Sequence, residues 1–130
     1  MSNMTLSEKE LKIGNLLQWE DESEDIIIIT GINIENESCS IATNKNELAE
    51  LDEFIPILLT EERLLKLGFE KEEKIQFYQY YYLNIFSIFN DNNKFYYSAD
   101  CWVHIKYIHQ LQNLYHILTE NELIINNLIS

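Results

Sequence analysis

Cys101 and His104 stand three residues apart, and His109 and His116 follow at positions where a helix is expected. Thiolate and imidazole are zinc ligands, but a structural zinc site needs four of them, commonly as two closely spaced pairs. His109 and His116 are seven apart, too far along a helix to share one ion. No metal and no cofactor is therefore expected. His109 is read as a packing or capping residue at a strand–helix junction and His116 as a solvated one. Nucleophilic catalysis needs a serine or cysteine held by a base, beside an oxyanion site. The chain has no G-x-S-x-G, and its three glycines leave little material for a phosphate cradle. No catalytic residue is assigned, and a non-enzymatic role is expected.

Carboxylates remain, and their arrangement is the more informative feature. Glu20, Asp21, Glu22, Glu24 and Asp25 stand together in "WEDESEDIIIIT", directly before four consecutive isoleucines. If the isoleucines form a core strand, these acids occupy the turn that the strand presents. Projected together, they would speed association with a lysine- and arginine-rich groove and stand in for phosphates there. Glu47, Glu50, Asp52 and Glu53, then Glu70, Glu72 and Glu73, would extend the field. The competing role is protective, because charge at a strand end discourages pairing with another chain. A second candidate surface is aromatic. Eight tyrosines and six phenylalanines exceed what one face of a small sheet buries, so some of Tyr78, Tyr80, Tyr82 and Tyr96 should reach the surface. Tyr78, Tyr80 and Tyr82 are the expected partner anchors, since tyrosine gives large contact area at low entropy cost. In "HQLQN", Gln110, Asn113 and the following His116 recur every third position. They form either a recognition face or a set of groups that satisfy buried strand ends, and the second role is favoured.

The bulk numbers limit the class of partner. Of 130 residues, 22 are acidic and 9 basic, a net charge of −13, and Arg63 is the sole arginine. That exceeds the ~2–8 charges that keep a small domain soluble. It repels phosphate backbones, so direct DNA binding is not expected, and it favours fast, salt-sensitive association with a basic protein. With 46% apolar residues the chain should fold, and its length predicts one domain over 1–130. Two cysteines make no disulfide framework and suggest a reducing compartment. "MSNMTLSEKELKIG" has no apolar signal core, and no apolar run approaches the ~20 residues of a spanning helix. A cytoplasmic location away from the membrane is the expectation.

The elements that must position these residues read as α+β: a mostly antiparallel sheet of about six strands with two helices. "TLSEKE" is a possible helical turn capped by Thr5 or Ser7. "LKIGNLLQW", broken by Gly14, then "DIIIIT", ended by Gly31 and buried on both faces, then "NESCSIAT" would make an antiparallel meander whose first turn is the acidic run. Pro56 suits an extended connector. Thr60 as N-cap, Glu61 and Glu62 in the first turn, a stripe of Leu64, Leu65 and Leu67, and Gly68 at the left-handed C′ position predict a helix over 61–67 closed by Phe69. Strands are expected over 74–81, 83–89 and 94–98, with "NDNN" as a turn. Ile75, Phe77, Ile85, Phe89, Phe95 and Tyr97 are the expected core. Ile108, Leu111, Tyr115 and Leu118 fall at helical spacing, with Gln110, Gln112, Asn113 and His116 off that stripe, and predict a helix over 107–118. Thr119 and Glu122 have capping-box spacing for a further short element.

Three islands carry a family resemblance: "LKIGNLL" (11–17), "PILLTEERLLKLGF" (56–69) and "IKYIHQLQNLYHILTENEL" (105–123). Together they resemble proteins of bacterial prophages and other mobile elements, which often begin with "LRIGNLV", carry "PIPLTEEWLLKFGF" and end in a YVHQLQNLYFALTGEEL-like motif. The match covers roughly a third of the chain, and its C-terminal island is specific. The usual glycine of the "TGEEL" end is read as Asn121 here, and the acidic first hairpin is a further departure. The resemblance brings no catalytic residues. It implies a mobile-element origin, and the small, acidic profile is similar to that of proteins that inhibit host defence, including anti-CRISPR proteins. The partner so implied is a basic protein, a CRISPR effector nuclease or its guide-RNA complex. The alternative is a phage structural or assembly protein that forms homo-oligomers.

Overall fold

In the computed structural model the four isoleucines alternate. Ile27 and Ile29 have no exposed surface, whereas Ile26 and Ile28 are half-buried. One face of the strand is core and the other is only partly covered, which corrects the expectation of burial on both faces. Residues 6–21, 23, 25–74, 78–98 and 102–129 are described. They form two compact units, Met1–Ile57 and Leu58–Ser130.

The first unit is one antiparallel sheet. Its strands are β1 (Leu16–Trp19), β2 (Ile26–Glu35), β3 (Ser38–Thr43), β4 (Leu48–Glu50) and β5 (Phe54–Ile55), in the order β4-β3-β2-β1-β5. The meander is present, and Glu20, Asp21 and Asp25 of the acidic run lie between its first two strands. Gly31 does not end β2. It sits at a register shift between Ile29 and the Gly31–Ala42 pair, where a Cβ would lie 3.3 Å from that of Ala42. The strand instead turns at Asn36 and Glu37, both with positive φ. That geometry matches the right-handed twist of a two-residue hairpin. Leu11, Leu17, Ile27, Ile29, Ile41 and Phe54 pack as the core. Ser7, the alternative to Thr5, caps a 3-10 turn at Glu8–Glu10; Thr5 lies outside the described residues.

The second unit joins another antiparallel sheet to helices. Its strands are β6 (Glu70–Lys71), β7 (Gln79–Leu83), β8 (Phe86–Asp91), β9 (Lys94–Ser98) and β10 (Trp102–Ile105), in the order β10-β9-β8-β7-β6. The class is α+β, with ten short strands in two five-stranded sheets rather than about six in one. Helix α1 (Glu61–Lys66) starts at Thr60, whose Oγ1 accepts from the Arg63 N–H. It ends as the sequence predicts: Gly68 has φ +98°, and the N–H groups of Gly68 and Phe69 donate to Leu65 and Leu64. These paired bonds satisfy the carbonyls a helix end leaves open. Leu64 and Leu67 are buried, but Leu65 is exposed.

Two expectations fail at the β7–β8 hairpin. The chain turns at Asn84, φ +56°, so Leu83 pairs with Phe86. Ile85, expected in the core, lies on the tip at 94% exposure. Asparagine tolerates this conformation, and the turn overrides the β preference of isoleucine. Asn92 and Asn93 make the next turn, as "NDNN" predicts. Phe89 and Phe95 are buried and Tyr97 is half-buried on Phe86; Ile75 and Phe77 lie outside the described residues. Helix α2 (Ile108–Thr119) buries Ile108, Leu111 and Tyr115, and also Gln112. Gln112 was expected off the stripe, while Leu118, expected on it, is exposed. The α2 cap is Glu120, at φ +62°. The left-handed position is thus Glu120 and not Asn121. A short helix, α3 (Asn126–Ile129), follows. Among the described residues no helix is long and apolar enough to cross a membrane.

Candidate functional site: an acidic groove and an aromatic ladder

The β1–β2 turn holds its exposed acids by short-range bonds. Asp21 Oδ1 accepts from both the N–H and the hydroxyl of Ser23, and the Asp25 N–H donates to Ser23 Oγ. The Trp19 N–H reaches the Asp25 carbonyl, and the Glu20 N–H reaches that of Glu53. Glu20, Asp21 and Asp25 are exposed; Glu22 and Glu24 lie outside the described residues. Asp21 therefore has a structural duty as the acceptor of an Asx-type turn, beside any part in binding.

The same unit contains a groove of about 460 Å³ lined by Glu8, Glu20, Glu37, Glu50 and Asp52, with Cys39 among the walls and no lysine or arginine. The fold assembles it from four distant stretches. Glu8 comes from the N-terminal turn, Glu20 from the β1–β2 turn, Glu37 from the β2–β3 turn, and Glu50 and Asp52 from the β4 end and the 3-10 turn after it. Glu50 and Asp52 belong to a stretch the sequence singled out; Glu8 and Glu37 carry no local signal. Burial raises the Cys39 thiol pKa, and the carboxylates of Glu8 and Glu50 raise it further. The thiol is thus disfavoured as a nucleophile. Among the described residues no three His, Cys, Asp or Glu side chains gather closely enough to hold a metal ion. Carboxylates spread along a groove suit several cationic side chains better than one ion.

In the second unit, Tyr78, Tyr80 and Tyr82 are all half-buried. Alternation along β7 puts them on one face, and the neighbouring strands extend the row. Tyr80 lies 6.4 Å from Tyr82 and 5.7 Å from Phe89. Tyr78 meets Phe89 at 5.3 Å, Phe89 stacks on Tyr96 at 5.6 Å, and Tyr96 meets His104 at 5.3 Å. The result is a ladder of rings across β7, β8, β9 and β10. Phe89 and His104 are members that tyrosine counting did not find; the signal was their register opposite Tyr80 and Tyr96. Desolvation of the His104 ring, then Lys94 and Lys106, hold its imidazole below the usual range.

The opposite face of this sheet is core, where Tyr115 of α2 packs edge-on against Phe86. There the Tyr81 hydroxyl donates to Glu61 Oε1 at 2.6 Å, and Lys71 Nζ lies 2.9 Å from the same oxygen. The Tyr81 bond, then the Lys71 contact, hold the Glu61 carboxyl below its usual range. Burial, then Glu61, push the Tyr81 phenol up. This network binds α1 to β6 and β7. The "HQLQN" segment has structural work as well. Gln110 Oε1 accepts from the Lys106 and Tyr107 N–H groups, closing the β10–α2 junction. His109 is buried with its ring stacked on Tyr107. His116 is half-buried rather than simply solvated, its Nδ1 2.9 Å from Glu122 Oε2. Cys101 lies outside the described residues. No family model matches the chain, and neither a curated protein nor a solved structure matches it.

Proposed function

We propose that this is a non-catalytic binding protein of phage or mobile-element origin. It inhibits a host nucleic-acid-handling defence protein, in the manner of anti-CRISPR proteins, by occupying a basic surface in the host cytoplasm. The observation that carries the reading is the partition of charge. Residues 1–57 hold thirteen acidic and three basic side chains, so ten of the thirteen net negative charges belong to that unit. There the acids line a turn and a groove free of lysine and arginine. A channel built for nucleic acid presents lysine and arginine to phosphates, and dispersed carboxylates meet the same side chains.

The test is a cleavage reaction of a guide-loaded CRISPR effector nuclease titrated with this protein. Cleavage should stop near one equivalent and recover as salt rises. A variant carrying Glu20→Gln, Asp21→Asn, Glu22→Gln, Glu24→Gln and Asp25→Asn together with Glu37→Gln, Glu50→Gln and Asp52→Asn should inhibit poorly. Asn at 21 keeps the turn's acceptor. Undiminished inhibition by this variant, at low and high salt alike, would sink the reading. The half-buried aromatic row supports a second reading, a phage assembly protein that forms homo-oligomers through that face; light scattering separates the two.

A further inference from the structure

The aromatic ladder is not symmetric in charge. At its tyrosine end, Glu70 of β6 is the register partner of Tyr82. Asp91 follows Asn90, the partner of Gln79, and so falls across from Tyr78. On the same face Lys94 is the register partner of Asp91 and already sets a cation against it, and His104 lies at the far end of the row. The Tyr82 side of the row thus combines the Tyr80 and Tyr82 rings with the Glu70 carboxylate on one sheet face. We propose that this side, formed by Tyr80, Tyr82 and Glu70, takes arginine side chains of a partner protein. The inference rests on the proposed function and names the side chain that the basic surface must present here.

Guanidinium is planar, delocalised and weakly hydrated, so it stacks on an aromatic face while its edge donates to a carboxylate; an ammonium does the second without the first. The Tyr80 and Tyr82 rings are 18° from parallel with centroids 6.4 Å apart. Nucleobases could use the rings, but their phosphates would meet Glu70 and the negative field of the chain. A second copy of this chain is poorly equipped as the occupant. It has one arginine, Arg63, and that guanidinium is already donating through Nη1 to the Leu58 carbonyl at 2.8 Å.

The experiment titrates octa-arginine and octa-lysine peptides into the full chain at low salt by calorimetry. Octa-arginine should bind about tenfold more tightly, because a guanidinium adds planar stacking on the rings to the cation–π attraction that an ammonium also makes. Its side-chain methylene protons should shift upfield by ring current. The double variant Tyr80→Leu, Tyr82→Leu preserves strand preference and charge. It should remove the tenfold preference and the upfield shift while still binding both peptides, with its fold checked by circular dichroism. Neutralising Glu37, Glu50 and Asp52 should instead weaken both peptides alike. Equal binding of the two peptides by the wild-type chain overturns the arginine site and leaves the acidic reading intact. Failure of both peptides to bind overturns both. A concentration-dependent dimer in sedimentation that the tyrosine variant abolishes also overturns the arginine site, because it makes this face an interface between copies.

Discussion

Glu120 closes α2 with φ +62°, a region where an L side chain is strained and glycine is not. Its position directly follows the "HQLQNLYHILT" run. Thr119 holds the same corner: its hydroxyl donates to the Tyr115 carbonyl and accepts from the Asn121 N–H. Glu120→Gly is expected to stabilise the second unit by about 0.5–1 kcal/mol, the strain released less the extra entropy of an unfolded glycine. Urea denaturation checks it. Asn121→Gly, one residue on, should give no such gain, so the pair of variants tests which residue occupies the left-handed position.

At the scale of elements, the Glu61–Tyr81–Lys71 network fastens α1 to the sheet. Its pH signature has a defined sign. The folded-state pKa of Glu61 is depressed by the Tyr81 hydrogen bond and then by Lys71. Its contribution is therefore fully present above the unfolded glutamate value, ~4.3, and is lost as the pH falls through the folded value. Tyr81 is the reverse case: its raised pKa contributes stability below ~10 that is lost as the pH rises through the folded value. Tyr81→Phe should cost about 1 kcal/mol near neutrality, with the difference in melting temperature from wild type shrinking at acid pH. Ultraviolet titration should show one phenol ionising well above the ordinary tyrosine range. An unchanged gap in melting temperature across the acid range would show that Glu61 is not coupled to the fold as drawn.

For the whole molecule, charge is distributed unequally along the chain: residues 58–130 hold six bases against nine acids, a net −3, while residues 1–57 carry −10. A field concentrated in one unit steers encounter with a basic partner and is screened beyond ~10 Å at ordinary salt. Neutralising Glu37, Glu50 and Asp52 should lower the association rate with such a partner about tenfold at low salt and leave the melting temperature nearly unchanged. Neutralising Glu72, Glu73 and Glu120 in the second unit should change the rate far less. Stopped-flow mixing across a salt series measures both.

Some of this organisation is written locally. Helix α1 is legible because each of its signals acts within one turn: Thr60 caps, Glu61 and Glu62 meet the dipole, and Gly68 takes the conformation other residues avoid. The acidic turn before the isoleucines and the "NDNN" hairpin are legible for the same reason, as backbone preference within a few residues decides them. Three things are not local. Ile85 is exposed because its neighbour Asn84 turns the chain. Gln112 is buried because α2 offers more of its surface to the fold than its apolar stripe. The groove exists because Glu8, Glu37 and Glu50, up to forty-two positions apart, are gathered by strand order. The sequence alone determined composition, charge sign and secondary-structure class. Tertiary structure decided which carboxylates share a groove and which rings share a face, because register and sheet order, through pairings distant in the chain, set those neighbours.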